Sequence, residues 1–228
     1  MACVPALILF DIDGTLVRRA GPHHRRALEE ALWREVGVRA STEQIPVQGM
    51  LDRDILNWMM RDAGISTARA RSLMPAVVRR AQSLYVRWCP DLTRKVCPGV
   101  RPLLRRLDRR GALMGLVTGN LSLIGWKKME RAGLRRYFTF GAFAESASTR
   151  ALLARRAVRE ARKKEWIARA TPIALIGDHP NDIAAARANG LRSIAVATGL
   201  VAYEELRRHS PDVLVADLRE LPFDCLWS

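Results

Sequence analysis

The chain has 228 residues, of which 49% are hydrophobic, a composition that excludes disorder over most of its length and allows one sizeable core. Its formal net charge is +15, from 38 basic and 23 acidic residues. Because the basic residues are spread through helix-like stretches and interleaved with acidic ones, we interpret them as a solvated surface and do not expect a nucleic-acid partner. No apolar run approaches the roughly 20 residues of a membrane-spanning helix, so we expect no membrane association.

The chain carries four cysteines, Cys3, Cys89, Cys97 and Cys225. They form no Cys-x-x-Cys pair and no histidine lies at metal-ligand spacing from them, so they do not predict a metal site. A reducing, cytoplasmic location fits this usage best, although a disulfide between Cys89 and Cys97 stays open. The apolar run at residues 4–10 has neither basic residues before it nor a cleavage site after it, so we expect no signal peptide.

Short, continuously apolar runs alternate with helical patterns along most of the chain. The runs predict buried strands over residues 6–10, 112–117, 172–176, 193–197 and 213–215. Helical patterns lie between them, over residues 100–109, 121–132, 151–163 and 181–188. This alternation predicts the α/β fold class with a doubly wound parallel sheet, and the continuous apolarity of the strands indicates that both sheet faces are covered.

Residues 17–98 have a different pattern, because no strand-like run occurs in them. Their apolar residues fall on helical faces over residues 27–36, 55–60 and 77–86. A crossover between parallel strands needs only one helix, so we predict that the excess forms a small helical domain inserted after the first strand. The predicted boundaries place residues 1–16 and 99–228 in the α/β core and residues 17–98 in the inserted domain.

Two aspartates follow the first predicted strand. Asp11 and Asp13 stand two positions apart, so in extended backbone their carboxylates point to the same side and can share one small site. Gly14 permits the sharp turn that follows. Ligands of open α/β sheets bind at the carboxyl ends of the strands, which is where this pair lies, although a polar turn alone would give the same pattern.

The second predicted strand ends in Thr118, Gly119 and Asn120, after which a helix begins. A hydroxyl group and unpaired backbone N–H groups at the start of a helix suit a phosphate oxygen. A simple turn or helix cap would also give this short pattern, so the segment is informative only together with its neighbours.

A third polar segment follows the strand at residues 172–176. Asp178 ends that strand, and Asp182 falls in the first turn of the next helix, where its carboxylate can point back at the strand end. A hard divalent cation such as Mg²⁺ prefers oxygen ligands, about two of them carboxylates. Asp11 and Asp178 would supply those two carboxylates.

Taken in chain order, the three segments resemble the motifs of the haloacid dehalogenase superfamily. Asp-x-Asp-Gly-Thr follows the first strand, Thr118 follows the second, and Gly-Asp-x-x-x-Asp follows a later one. The resemblance covers most of the chain. The inserted helical domain resembles the C1 cap of that superfamily, and residues 49–56 are similar to the cap of its phosphoglycolate phosphatase-like members.

The resemblance implies a Mg²⁺-dependent phosphatase that works by two successive phosphoryl transfers. Asp11 would be the nucleophile and become an aspartyl-phosphate. Asp13 would protonate the leaving oxygen and then deprotonate the attacking water. The metal would be held by Asp11, the backbone carbonyl of Asp13 and Asp178, with Asp182 supporting the metal or one of its waters.

The resemblance also implies a cradle for the phosphoryl oxygens, formed by Thr118 and the nearby backbone N–H groups of Gly119 and Asn120. The superfamily adds a lysine, often followed by proline, and no Lys-Pro pair occurs in this chain. The candidate cations are Lys127, Lys128, Arg150, Lys163 and Lys164. We favour Lys128 as the catalytic cation and place Arg150 among the substrate-binding residues.

The expected substrate is a small phosphorylated metabolite, and the expected assembly is a monomer or a homodimer. A phosphomutase stays open, because such an enzyme also keeps Asp11 and Asp13. Dehalogenase chemistry is disfavoured, because a halide leaves without the proton that Asp13 would supply. The other class that stays open is a non-enzymatic basic protein that binds nucleic acid or another anionic partner. His23 and His24 are interpreted as surface or capping residues.

Overall fold

The computed structural model describes residues 5–18, 22–43, 45 and 47–227. Its strands are β1 (Leu7–Phe10), β2 (Leu113–Val117), β3 (Phe140–Ala142), β4 (Ile173–Gly177), β5 (Arg192–Val196) and β6 (Val213–Val215). They form a parallel sheet in the order β3-β2-β1-β4-β5-β6. All four residues of β1 are buried, so the first strand lies at the centre of the core. The predicted α/β fold class with a doubly wound parallel sheet is confirmed.

Eight α-helices accompany the sheet within the described ranges. They are α1 (His23–Val36), α2 (Asp52–Asp62), α3 (Thr67–Trp88), α4 (Val100–Arg109), α5 (Ser122–Arg131), α6 (Arg150–Lys163), α7 (Pro180–Arg187) and α8 (Tyr203–Arg208). Helix α6 packs against β2 and β3, and α7 packs against β4 and β5. Short 3₁₀ turns cover Thr93–Lys95, Arg135–Tyr137 and Phe223–Leu226. None of the described helices is long and apolar enough to cross a membrane.

The sequence patterns predicted five of the six strands and missed β3. That strand is only three residues long, has a glycine at its centre and pairs with β2 alone at the edge of the sheet. A run this short gives no periodicity to detect. The missing Cβ of Gly141 also has a packing role, because the ring of Phe143 occupies the space where that Cβ would lie.

Helices α1, α2 and α3 all lie in the chain between β1 and β2, as the three helical faces predicted. Helix α1 packs along α3, and α2 contacts both. The two connections to the core run side by side, because Arg18 N–H donates to Lys95 O (2.7 Å) and Cys97 N–H donates to Leu16 O (3.0 Å). The predicted boundaries at residues 16/17 and 98/99 remain a prediction, supported by this pairing close to both of them.

The two buried cysteines of the predicted disulfide alternative are thiols in the structure. Cys89 Sγ lies 3.4 Å from the Tyr85 hydroxyl oxygen, and Cys97 Sγ lies 3.7 Å from Gly14 O. Burial raises the pKa of both thiols, that of Cys97 to about 11. Cys3 lies outside the described residues.

Candidate active site

The sheet register brings the polar strand ends together. Phe10 at the end of β1 is paired with Leu116 on one side and with Ile176 on the other. The next residue, Asp11, donates its backbone N–H to Ile176 O (2.9 Å). In this strand order the crevice between β1 and β4 is the switch point at which open α/β sheets bind ligands. Asp11 and Asp178 stand at the two sides of that crevice.

Three carboxylates cluster at this point. Asp11, Asp178 and Asp182 are all buried, and each offers an oxygen within 4.8 Å of the others. Burial and the charge of Asp11 raise the pKa of Asp178 well above its ordinary value. Burial also raises the pKa of Asp182, to about 7. These carboxylates are therefore costly to ionise together without a cation among them.

The surroundings of the cluster fit a small hard cation. Within the described part of the chain, the buried Oδ1 atom of Asp182 accepts no hydrogen bond, and Arg150 Nε lies 3.4 Å from it. Asp178 receives one side-chain hydrogen bond that fixes its direction, from Thr15 Oγ1 at 3.0 Å. An all-oxygen donor set with a free lone pair is what Mg²⁺ requires.

Glycines let the backbone approach this cluster closely. A Cβ on Gly14 or on Gly199 would overlap the carboxylate of Asp178, and a Cβ on Gly177 would overlap that of Asp182. Gly14 also has a φ of 88°, so the predicted sharp turn after Asp13 is confirmed. Sequence reasoning did not single out Gly199, because it lies in a loop with no motif around it.

Arg150 is the first residue of α6 and is 7% exposed. Its Nη1 donates to Asp11 Oδ1 (2.7 Å) and to the backbone carbonyl of Val117 (3.2 Å). Burial opposes its charge, but Asp11 and Asp182 together keep the pKa of Arg150 above its usual value. Arg150 therefore stands as a permanent cation beside the proposed nucleophile.

Lys128 projects from the second half of α5 and is fully buried. Its Nζ donates to Asp13 Oδ2 (2.5 Å) and to Asn120 Oδ1 (2.6 Å). Asn120 Nδ2 donates to Asp13 Oδ2 (2.8 Å) and to Thr118 Oγ1 (2.8 Å). Burial would raise the pKa of Asp13, but the charge and hydrogen bond of Lys128 and the hydrogen bond from Asn120 act in the opposite direction, and that pKa is lowered below its ordinary value.

The remaining candidate cations lie elsewhere. Lys127 pairs with Glu130 on the outer side of α5 (2.8 Å). Lys163 and Lys164 are exposed at the far end of α6. Two of the five candidate cations therefore reach the site, Arg150 in contact with Asp11 and Lys128 in contact with Asp13.

A cavity of about 640 Å³ opens between the strand ends and the inserted helices. The core contributes Asp11, Asp13 and Thr118 to its wall, and the inserted segment contributes His24, Arg25 and Asp52. The interpretation of His24 as a surface or capping residue was wrong, since its ring contacts both Lys128 and Asp52. No local pattern distinguishes it from His23, because its partners are 28 and 104 positions away in the sequence.

Comparisons with known proteins agree with this architecture. The haloacid dehalogenase-like hydrolase family matches residues 5–190. The phosphoglycolate phosphatase of Synechococcus elongatus is 28% identical, over 96% of this chain and 94% of its own length.

Solved structures share the fold at low sequence identity. The β-phosphoglucomutase of Clostridium difficile has a TM-score of 0.69 and 19% identity, and the match covers 97% of this chain and 95% of that one. CbbY of Rhodobacter sphaeroides in complex with xylulose-(1,5)bisphosphate has a TM-score of 0.70 and 21% identity, and the match covers 95% of this chain and 96% of that one.

Proposed function

The chain belongs to the haloacid dehalogenase-like hydrolase family, and on that premise we propose that it is a Mg²⁺-dependent phosphatase of a small phosphorylated metabolite. It is an enzyme of the phosphatase or phosphomutase type that acts on a phosphorylated substrate. One observation carries the finer proposal. At the end of the central strand, Asp11 and Asp13 each form an ion pair with a buried basic side chain. A cluster of carboxylates that fits a metal ion lies beside them.

The proposed reaction has two displacements at phosphorus. In the first, a carboxylate oxygen of Asp11 attacks the phosphorus, the ester P–O bond breaks, and the leaving oxygen takes a proton from Asp13. In the second, a water molecule attacks the same phosphorus, gives its proton to Asp13 and releases phosphate. The bond between the Asp11 oxygen and phosphorus breaks in this step, and Asp11 is again a free carboxylate.

The state of Asp13 fits both steps. The lowered pKa of its carboxyl group favours the anion, which is the form that accepts a proton from water in the second step. A phosphate group entering the cavity adds negative charge close to Asp13 and to Lys128. Like charge raises the pKa of a carboxyl group, so substrate binding shifts Asp13 towards the protonated form that the first step needs.

The same side chains would hold the transferring group. Thr118, Gly119 and Asn120 line the cavity together with Asp11, and the guanidinium of Arg150 contacts Asp11 there. Phosphoryl transfer spreads negative charge over the equatorial oxygens, so positioned donors and cations are the main contribution that a protein can make. We therefore assign these four residues to phosphoryl binding.

Mg²⁺ would be held by Asp11, Asp178 and the backbone carbonyl of Asp13, with Asp182 in support. When bound, it supplies positive charge that offsets the negative charge of the phosphoryl oxygens and of the carboxylate cluster.

We expect Mg²⁺ to raise the melting temperature and EDTA to reverse the rise, because a ligand of the folded state stabilises it. Thermal unfolding with and without the metal measures this. In Asp178→Asn the rise should be lost, and an undiminished rise in that variant would place the metal elsewhere.

The phosphatase proposal is tested by phosphate release from p-nitrophenyl phosphate, in Mg²⁺ and in EDTA, followed by a panel of phosphorylated metabolites. We expect turnover that requires the metal. A phosphomutase would instead pass the phosphoryl group to a second hydroxyl and release little phosphate. Salt-sensitive retention on a polyanion with no turnover of any phosphate ester would favour the non-enzymatic binding protein.

A cytoplasmic location belongs to the same proposal. It is supported by the reduced state of the buried Cys89 and Cys97, because thiols persist in reducing compartments. A fractionation experiment that recovers the activity with cytoplasmic markers would test it.

A further inference from the structure

Asp52 joins the inserted helices to the core through one carboxylate oxygen and through its backbone N–H. It is the first residue of α2 and is 3% exposed. Its Oδ2 accepts a hydrogen bond from the backbone N–H of Leu121 (2.8 Å) and lies 3.0 Å from His24 Nε2. Its own backbone N–H donates to Gly119 O (2.8 Å). Asp52 thus contacts the loop after β2 on both its main chain and its side chain.

These two contacts fall on either side of Asn120. Gly119 precedes it and Leu121 follows it, so Asp52 fixes the backbone that carries the Asn120 side chain. That side chain donates to Asp13 and accepts from Lys128, as described above. The orientation of the acid–base carboxylate is therefore linked to Asp52 through one short stretch of backbone.

A second connection runs through His24. The ammonium group of Lys128 can only donate, so the His24 Nδ1 atom at 3.2 Å from it must accept. The proton of the neutral ring then lies on Nε2 and is donated to Asp52. The ring also packs edge-on against Tyr85, with centroids 5.5 Å apart. By accepting the proton on Nε2, Asp52 stabilises the tautomer in which His24 Nδ1 accepts the hydrogen bond from Lys128.

We propose that Asp52 is a positioning residue for the acid–base step, holding Asn120 and Lys128 in register with Asp13 from the inserted helical segment. It touches none of the reacting groups itself and acts through Gly119, Leu121 and His24. The inference rests on the proposed function, because it assigns Asp13 a role in proton transfer. It adds a residue of α2 to the group formed by Asp13, Asn120 and Lys128, which come from the core.

Asp54 separates this role from a general effect of acidic residues at the start of a helix. Asp52 and Asp54 both lie in the first turn of α2, where a carboxylate interacts favourably with the helix dipole. Asp54 is exposed, and its side chain makes no hydrogen bond to the core within the described ranges. A substitution at Asp54 therefore removes the dipole interaction and leaves the bridge intact.

The substitution Asp52→Asn separates hydrogen bonding from charge. Both side-chain contacts of Asp52 meet the same oxygen, and an amide oxygen has two lone pairs to accept the same two donors. The variant Asp52→Ala loses both contacts. Asp54→Ala is the matched control for both variants.

The experiment measures kcat and KM on the best substrate found, and amide hydrogen exchange of the peptide that contains Leu121, in all four proteins. In Asp52→Ala we expect kcat to fall about 10- to 100-fold with KM changed by less than about threefold, and Leu121 to exchange faster. Asp52→Asn and Asp54→Ala should stay close to the wild type in both readouts. A mutation that only weakens folding would not change kcat in the folded fraction.

Three outcomes would overturn the inference. The first is an unchanged kcat in Asp52→Ala, the second is an Asp52→Asn variant as slow as Asp52→Ala, and the third is an equal loss in Asp54→Ala. Failure of the proposed function looks different, because the wild type would then turn over no phosphate ester. In that case the exchange rate of Leu121 alone decides whether Asp52 holds the loop, and an unchanged rate in Asp52→Ala rejects it.

Discussion

Replacing Asp11 by asparagine is expected to reduce phosphate release by at least about 10³-fold, as loss of a covalent nucleophile does in other enzymes. The amide of asparagine cannot form the acyl phosphate that the carboxylate forms. Its oxygen can still accept the hydrogen bond from Arg150 Nη1, which spans 2.7 Å in the wild type. The fold should therefore survive, and steady-state kinetics on circular-dichroism-checked protein measure the effect of the nucleophile alone.

The matched control for this change is Asp108→Asn. Asp108 is an exposed residue of α4, so neutralising it removes one negative charge without touching the strand ends. We expect wild-type kinetics from that variant. Substantial residual turnover in Asp11→Asn, clear of any contaminating phosphatase, would assign the nucleophile to another group.

Replacing Lys128 by methionine is expected to lower kcat by about 10²-fold or more, the range seen when one positioned donor is removed from an active site. Methionine keeps most of the length of the buried side chain and removes the ammonium group. Asp13 then loses its 2.5 Å partner, and Asn120 Oδ1 loses its donor at 2.6 Å. Without Lys128, burial becomes the main influence on Asp13, so its pKa should rise.

The adjacent residue supplies the control for this second change. Lys127→Met removes the same charge from the same helix, but among the described residues the ammonium group of Lys127 pairs only with Glu130, near the surface. We expect kinetics within about twofold of the wild type, since surface pairs of this kind contribute little. Equal losses in the two variants would show that net charge, and not the contact with Asp13, is what matters at position 128.

Much of the fold could be predicted from the sequence, because strands buried on both faces leave a continuous apolar signal. The run at residues 6–10 contains β1, and the run at 112–117 contains β2. The polar residues just beyond those runs then had to meet, since parallel strands present their carboxyl ends at one edge. This is why the sequence alone predicts that Asp11, Thr118 and Asp178 lie at one site.

The cations could not be chosen in the same way. Lys127 and Lys128 are neighbours in one helical pattern, and only the packing of α5 decides which of them turns inward. Arg150 directly precedes the helix predicted over residues 151–163, whereas in the structure it is the first residue of α6 and its guanidinium contacts Asp11. Both outcomes depend on tertiary packing that a single sequence does not encode locally.

The contribution of the inserted helices was the least predictable part. His24 and Asp52 have ordinary surroundings in the sequence, and their roles come from contacts with α5 and with the loop after β2. Such contacts join residues more than twenty-five positions apart, so no motif or periodicity records them. Where a site lies between two parts of a chain, the sequence therefore predicts only the residues on the side that carries the motifs.

Acid quenching of the enzyme within its first turnover, followed by mass spectrometry of its peptides, shows whether Asp11 carries the phosphoryl group. We expect one phosphoryl group on the peptide that contains Asp11, present at early quench times with Mg²⁺ and absent in Asp11→Asn. A phosphoryl group on a peptide without Asp11, or none at any quench time while phosphate is being released, would contradict it.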